Sequence, residues 1–163
     1  MDGSGFFWAT WLERTAIATW VRTSTWGYPA VEVVHLFGLA VLIGTAVAFD
    51  LRLLGLSSRL PADAMARHLL PWARVGFALA LVSGALLFST QAATFITQPV
   101  FLLKVAAIAA GVCNAAIFAR GVHRDIAVWN YSPHPPAAAR AAAVVSLLAW
   151  STALVCGRLL AYL

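Results

Sequence analysis

Residues 30–55, AVEVVHLFGLAVLIGTAVAFDLRLLG, decide how this chain is read. From Val33 to Phe49 there is no charged side chain, and His35 and Thr45 are the polar ones. Glu32 and Asp50 bracket the run. A helix of about 20 such residues is long enough to cross the hydrocarbon core of a bilayer. Carboxylates and imidazoles are costly against lipid, so groups of this kind are expected to face protein, water or a ligand.

Outward from this stretch, the same pattern recurs. The first span is predicted over about residues 29–49 and the others over about 69–88, 100–118 and 141–162, each near the length a crossing needs. Hydrophobic residues make up 62% of the 163 and charged ones 10%, against about 25% charged in soluble domains. Four spans then leave no separate soluble domain, and residues 1–163 form a single membrane domain. The predicted fold class is all-α: a polytopic membrane protein built as a four-transmembrane-helix bundle, preceded by an N-terminal interfacial amphipathic helix. That helix is expected over about residues 6–25. Phe7, Trp8, Trp11 and Trp20 would supply rings for the headgroup layer, and Glu13, Arg14 and Arg22 a wet face. The N-terminus lacks the basic start and clean apolar stretch of a cleavable signal, so none is expected.

The net charge of +5 reads as orientation. Arg52, Arg59, Arg67, Arg74, Arg120, Arg124 and Arg140 lie in or beside the first and third connections, whereas Arg14, Arg22, Lys104 and Arg158 lie on the other side. This bias places those two connections in the cytoplasm and both termini outside. A basic stripe on a soluble scaffold is missing, so nucleic-acid binding is rejected and the bilayer is the expected partner. Cys113 and Cys156 fall inside apolar runs and read as small hydrophobes.

With this topology the polar residues sort by depth. Glu32 and His35 on span one, Lys104 on span three and Arg158 on span four all fall near the outer surface. Glu32 and His35 share a helix face, which Leu39, Ile43, Ala46 and Asp50 continue. On span three, Lys104, Ala107, Gly111, Asn114 and Phe118 form a comparable face, with small residues that admit a close neighbour. Two readings compete. In the first, Glu32 pairs with Lys104, His35 is hydrogen-bonded in the bundle, and Lys104 and Arg158 reach the headgroups. In the second, Glu32, His35, Lys104, Arg158 and Asn114 line a ligand pocket toward the outer face. At the inner side Asp50, Arg52, Arg74, Arg120 and Asp125 read as a solvated rim anchoring helix ends.

The metal options are narrower. Glu-x-x-His is half of a di-metal bundle site, but spans two to four carry no carboxylate to complete it. A copper site has no methionine cluster or second outer histidine behind it. His35 is the candidate metal ligand, and haem b the candidate cofactor, with Lys104 and Arg158 toward its propionates. His68, His123 and His134 lie toward the inner side, so bis-histidine ligation with His35 is disfavoured and five-coordinate haem is the remaining form.

The segments WLERTAIATWVRTSTWGYPAVEVVHLFGLAVLIGTAVAFDLRLLGL, LLPWARVGFALALVSGALLF, QPVFLLKVAAIAAGVCNAAIF and SLLAWSTALVCGRLLAYL resemble an uncharacterised family of small bacterial inner-membrane proteins with no assigned function. The resemblance spans nearly the whole chain and implies the bacterial inner membrane. Through HLFGLAVLIG the first span also resembles, more distantly, histidine-bearing helices of the copper-export membrane family and of the haem-dependent protoporphyrinogen oxidases. A histidine often follows Asn-x-x-x-Phe in the closer family; here Asn114 and Phe118 are followed by Ala119, which counts against haem.

Three functions are carried forward. The first is an accessory or scaffold subunit, forming a homo-oligomer or joining a larger membrane complex, with a polar pocket near the periplasmic side. The second is a haem b-binding redox or haem-handling protein using His35. The third is a carrier for a small solute or metal ion, for which a continuous polar path at mid-depth is missing. No nucleophile with a base, phosphate loop or catalytic carboxylate pair is apparent, so the reading leans away from an enzyme.

Overall fold

The computed structural model describes residues 6–162. They form seven α-helices: α1 (Phe7–Glu13), α2 (Ala16–Thr23), α3 (Gly27–Leu53), α4 (Ala62–Ser89), α5 (Ala92–Phe95), α6 (Pro99–Arg120) and α7 (Ala137–Leu159), with a 3₁₀ turn at Val122–Asp125. No strand occurs among the described residues. The four long helices α3, α4, α6 and α7 are each long and apolar enough to cross a membrane. By length and composition the chain is a multi-pass membrane protein. The end where α3 begins is called upper below, and the end where it finishes lower.

Helices α3 and α4 form one antiparallel pair and α6 and α7 a second, and the pairs join where α3 packs on α7. On the fourth side α4 and α6 do not pack backbone to backbone. Their side chains bridge the gap at the upper end, where the rings of Phe88 and Phe101 stack at 5.1 Å.

The α3–α4 pair owes its closeness to two glycines. A Cβ at Gly38 would stand 2.7 Å from the Ala80 amide nitrogen, and one at Gly76 would stand 2.5 Å from that of Leu42. The two backbones therefore touch, which only residues without a side chain permit. At the other pair Gly111 receives the Trp150 indole, whose ring carbons would lie 3.2 Å from an added Cβ.

The lower end holds the best-formed core. Phe49 and Leu53 pack with Ala62, Ala66, Phe118, Ile126, Trp129, Ala139 and Ala143. Inside it sits Arg52, 1% exposed. Its guanidinium donates to the carbonyls of Leu60 (2.7 Å), Asn130 (2.8 Å) and Ser132 (3.4 Å). Arg52 thus ties the α3–α4 connection to the α6–α7 connection. Asn130 also caps α4. Pro61 precedes that helix and has no side chain to cap it, so the Asn130 carbonyl accepts from Ala62 (3.0 Å) and its Oδ1 accepts from the Asp63 amide (2.9 Å). Gly55, at φ +99°, makes the turn between the two helices, and a Cβ there would stand 2.6 Å from the Pro133 carbonyl oxygen.

Two expectations need revision. The N-terminal amphipathic segment is two helices, because Thr15 stops α1 and caps α2 by accepting from the Ala18 amide at 3.3 Å. Glu13 accepts from the Ala93 amide (2.8 Å) and Arg22 donates to the Thr90 carbonyl (3.2 Å), so the segment folds onto the α4–α5 corner. The lower charged ring is also not a uniformly solvated rim: Asp50 and Arg52 are buried. Arg52 is solvated by hydrogen bonds to loop carbonyls, a partner set that no helix pattern announces.

Candidate functional site

His35 is the best-oriented of the predicted site residues. Its Nδ1 lies 2.9 Å from the Ala80 carbonyl and 3.1 Å from Ser83 Oγ. A carbonyl only accepts, so Nδ1 carries the proton. Ser83 Oγ spends its own hydrogen on the Leu79 carbonyl and can accept as well. Nε2 is then the lone-pair nitrogen. The ring lies over Gly84, where an added Cβ would stand 3.0 Å from Cε1, so α4 supplies both the anchor and the floor of this histidine.

The other four predicted residues divide. Lys104 is half-buried, its Nζ 3.5 Å from where a Cβ on Gly157 would sit. Lys104 and Glu32 are both near enough for their charges to act on His35. Glu32 is exposed, and the expected Glu32–Lys104 ion pair is not formed: among the described residues the one ion pair is Arg67–Asp63 at 2.6 Å. Arg158 is exposed and stacks on Tyr162, with its guanidinium carbon 4.8 Å from the ring centre. Asn114 donates to the Ala142 carbonyl at 2.9 Å and faces the lower half of the bundle, away from His35.

A second constellation lies in that lower half. A cavity of about 380 Å³ opens between all four long helices, from Leu42, Phe77 and Trp150 at its upper limit to Leu53 and His123 below. Its polar lining is Asp50, Arg74, Asn114, His123 and Ser146, and its remaining wall is apolar. Asp50 is 6% exposed; the Ser146 hydroxyl bonds its carboxyl, and its Oδ2 is buried with no hydrogen-bond partner among the described residues. His123 Nδ1 is in the same condition. Sequence reasoning placed Asp50 at a solvated helix end. The signal for the cavity was present in the face that carries Ala46 and Asp50, but the gap between α4 and α6 is a product of tertiary packing. Among the described residues no group of three or more His, Cys, Asp or Glu side chains is placed to hold a metal.

These features define a small all-helical membrane protein with polar groups at two depths. Residues 8–163 match the family described as "Family of unknown function (DUF6644)", and the chain belongs to that family. No curated protein and no solved structure matches the chain.

Proposed function

We propose that this protein is an accessory or scaffold subunit of the bacterial inner membrane, with both termini in the periplasm, built around a polar site at His35 in its periplasmic half. The observation that carries this reading is the fixed imidazole. His35 is anchored to the α4 backbone through Nδ1, which commits that nitrogen and leaves Nε2 to a partner or ligand. Lys104 and Glu32 act on the same ring, so the site combines both signs of charge with a neutral acceptor. Assembly with a larger complex or with a second copy suits the small-residue faces and the exposed rings of Trp8, Trp11, Trp20 and Trp26, which favour the headgroup layer. The test is purification in mild detergent from native membranes. Stoichiometric partners that are lost in His35→Ala and Lys104→Met, at unchanged expression, support the reading; a monodisperse preparation without partners in all forms sinks it. A reporter at residue 163 that fluoresces only in the cytoplasm would reverse the orientation.

One observation favours haem b as the ligand. Histidines that bind metal commonly donate their other ring N–H to a carbonyl, which fixes the tautomer and the ring plane, and His35 does this. His35 would hold the group and Lys104 would meet a propionate; the group would supply one-electron chemistry. A Soret band that disappears in His35→Ala supports haem. A colourless preparation after haem is supplied during expression removes it.

A further inference from the structure

The lower cavity is independent of His35 and calls for its own occupant. Three properties bear on what that is. The first is a missing counter-ion. A carboxylate removed from water needs a cation or enough hydrogen-bond donors; the Ser146 hydroxyl bonds the Asp50 carboxylate, but Oδ2 has no partner among the described residues. Arg74 also borders the cavity but makes no ion pair with Asp50, and Asn114 directs its amide to a backbone carbonyl. The second is the wall. Phe49, Phe77, Phe118 and Trp150 surround the space, and aromatic faces attract cations, more strongly once water is excluded. The third is size and access. About 380 Å³ falls within the range of small-molecule pockets, about 300–1,000 Å³. Backbone packing is sparsest on the side between α4 and α6, which is where a molecule dissolved in the bilayer would enter.

We infer that this cavity is a binding site for a lipophilic amine: an apolar, ring-bearing molecule whose protonated nitrogen pairs with Asp50 and whose body lies among the aromatic side chains. An ammonium has several N–H donors. One is directed to Asp50 Oδ2; His123 Nδ1, also unpartnered and on the cavity wall, is open to a polar group of the ligand in the tautomer that leaves this atom as acceptor. A neutral molecule of the same shape fills the volume but leaves the carboxylate unpaired, so charge is the selecting property.

The experiment compares 4-phenylbutylamine with 4-phenylbutanol by equilibrium dialysis against the full chain in lipid nanodiscs, with empty nanodiscs subtracted. The amine is expected to bind at least tenfold more tightly than the alcohol. Asp50→Asn should abolish that preference, and Ala46→Leu, which fills the cavity from α3, should weaken both probes. Equal binding of amine and alcohol by the unaltered protein overturns the inference, as does a preference that survives Asp50→Asn. Should Asp50→Asn fail to fold, the unaltered protein and Ala46→Leu decide: full amine binding by Ala46→Leu places the site elsewhere. His35→Ala should leave amine binding unchanged, which separates this result from the fate of the upper site.

Discussion

Substituting Gly76 by alanine should drive α3 and α4 apart. The new Cβ would stand 2.5 Å from the Leu42 nitrogen, 2.8 Å from the Gly38 carbonyl oxygen and 3.0 Å from the Leu42 Cα. Non-bonded heavy atoms are comfortable at about 3.5–4.0 Å, so the helices must separate by about 1 Å. All three obstructing atoms are backbone and cannot rotate away. The cost therefore falls at the upper end of the usual overpacking range, about 3 kcal/mol. Alanine recovers up to about 1 kcal/mol through its better helix propensity, leaving a net loss of about 2 kcal/mol. Gly44 is the internal control, since a Cβ there meets nothing within 4 Å. Gly44→Ala should be neutral or stabilising by up to about 1 kcal/mol. Unfolding by sodium dodecyl sulfate in mixed micelles, followed by far-UV circular dichroism, measures both. The separation between the two variants should be about 2–3 kcal/mol. Gly38→Ala forces apart the same two backbones from the other helix, so once one variant has separated them the second adds little, and the Gly38/Gly76 double variant should cost less than the sum of the singles. A separation below about 0.5 kcal/mol, within the scatter of ordinary surface changes, would refute the backbone-contact argument.

Other outcomes follow from single contacts. Arg52→Met leaves the Leu60 and Ser132 carbonyls without their donor, and the Asn130 carbonyl with only the Ala62 amide, and should cost about 3 kcal/mol in the same assay; Arg52→Lys should recover only part because one ammonium cannot reach all three. Asn130→Ala removes the side-chain half of the borrowed cap of α4 and should cost about 1 kcal/mol, with hydrogen exchange rising first at the Asp63 amide. Gly111→Ala should displace the Trp150 indole and alter the near-UV dichroism more than the far-UV signal. His35→Ala removes a hydrogen bond between α3 and α4 and should lower stability by about 1 kcal/mol, without the collapse that loss of Arg52 produces.

The existence of the four long helices is legible because each satisfies one constraint, a hydrocarbon-length run without unpaired charge. Their ends are less legible. Helix α4 begins at Ala62, well before the apolar run at Leu69, because residues 62–68 are helical, held by a cap from Asn130 far along the chain. Pro71 lies inside the helix, two turns and more from its start. The orientation of His35 rests on a backbone carbonyl of α4, which has no signature in residue types. The cavity at Asp50 is further from view. It depends on which pair of helices lacks close backbone packing, and Gly38, Gly76 and Gly111 mark only the close contacts that do form.

The Arg52 clamp carries a consequence for biogenesis. A ribosome delivers the first hairpin long before residues 130–132 exist, so the guanidinium waits without the Asn130 and Ser132 carbonyls that later enclose it. Throughout that interval the lower end of the nascent chain stays open. Closure of the bundle is therefore a late, single event, and a chain cut short before Asn130 should be recognised and degraded as unfinished.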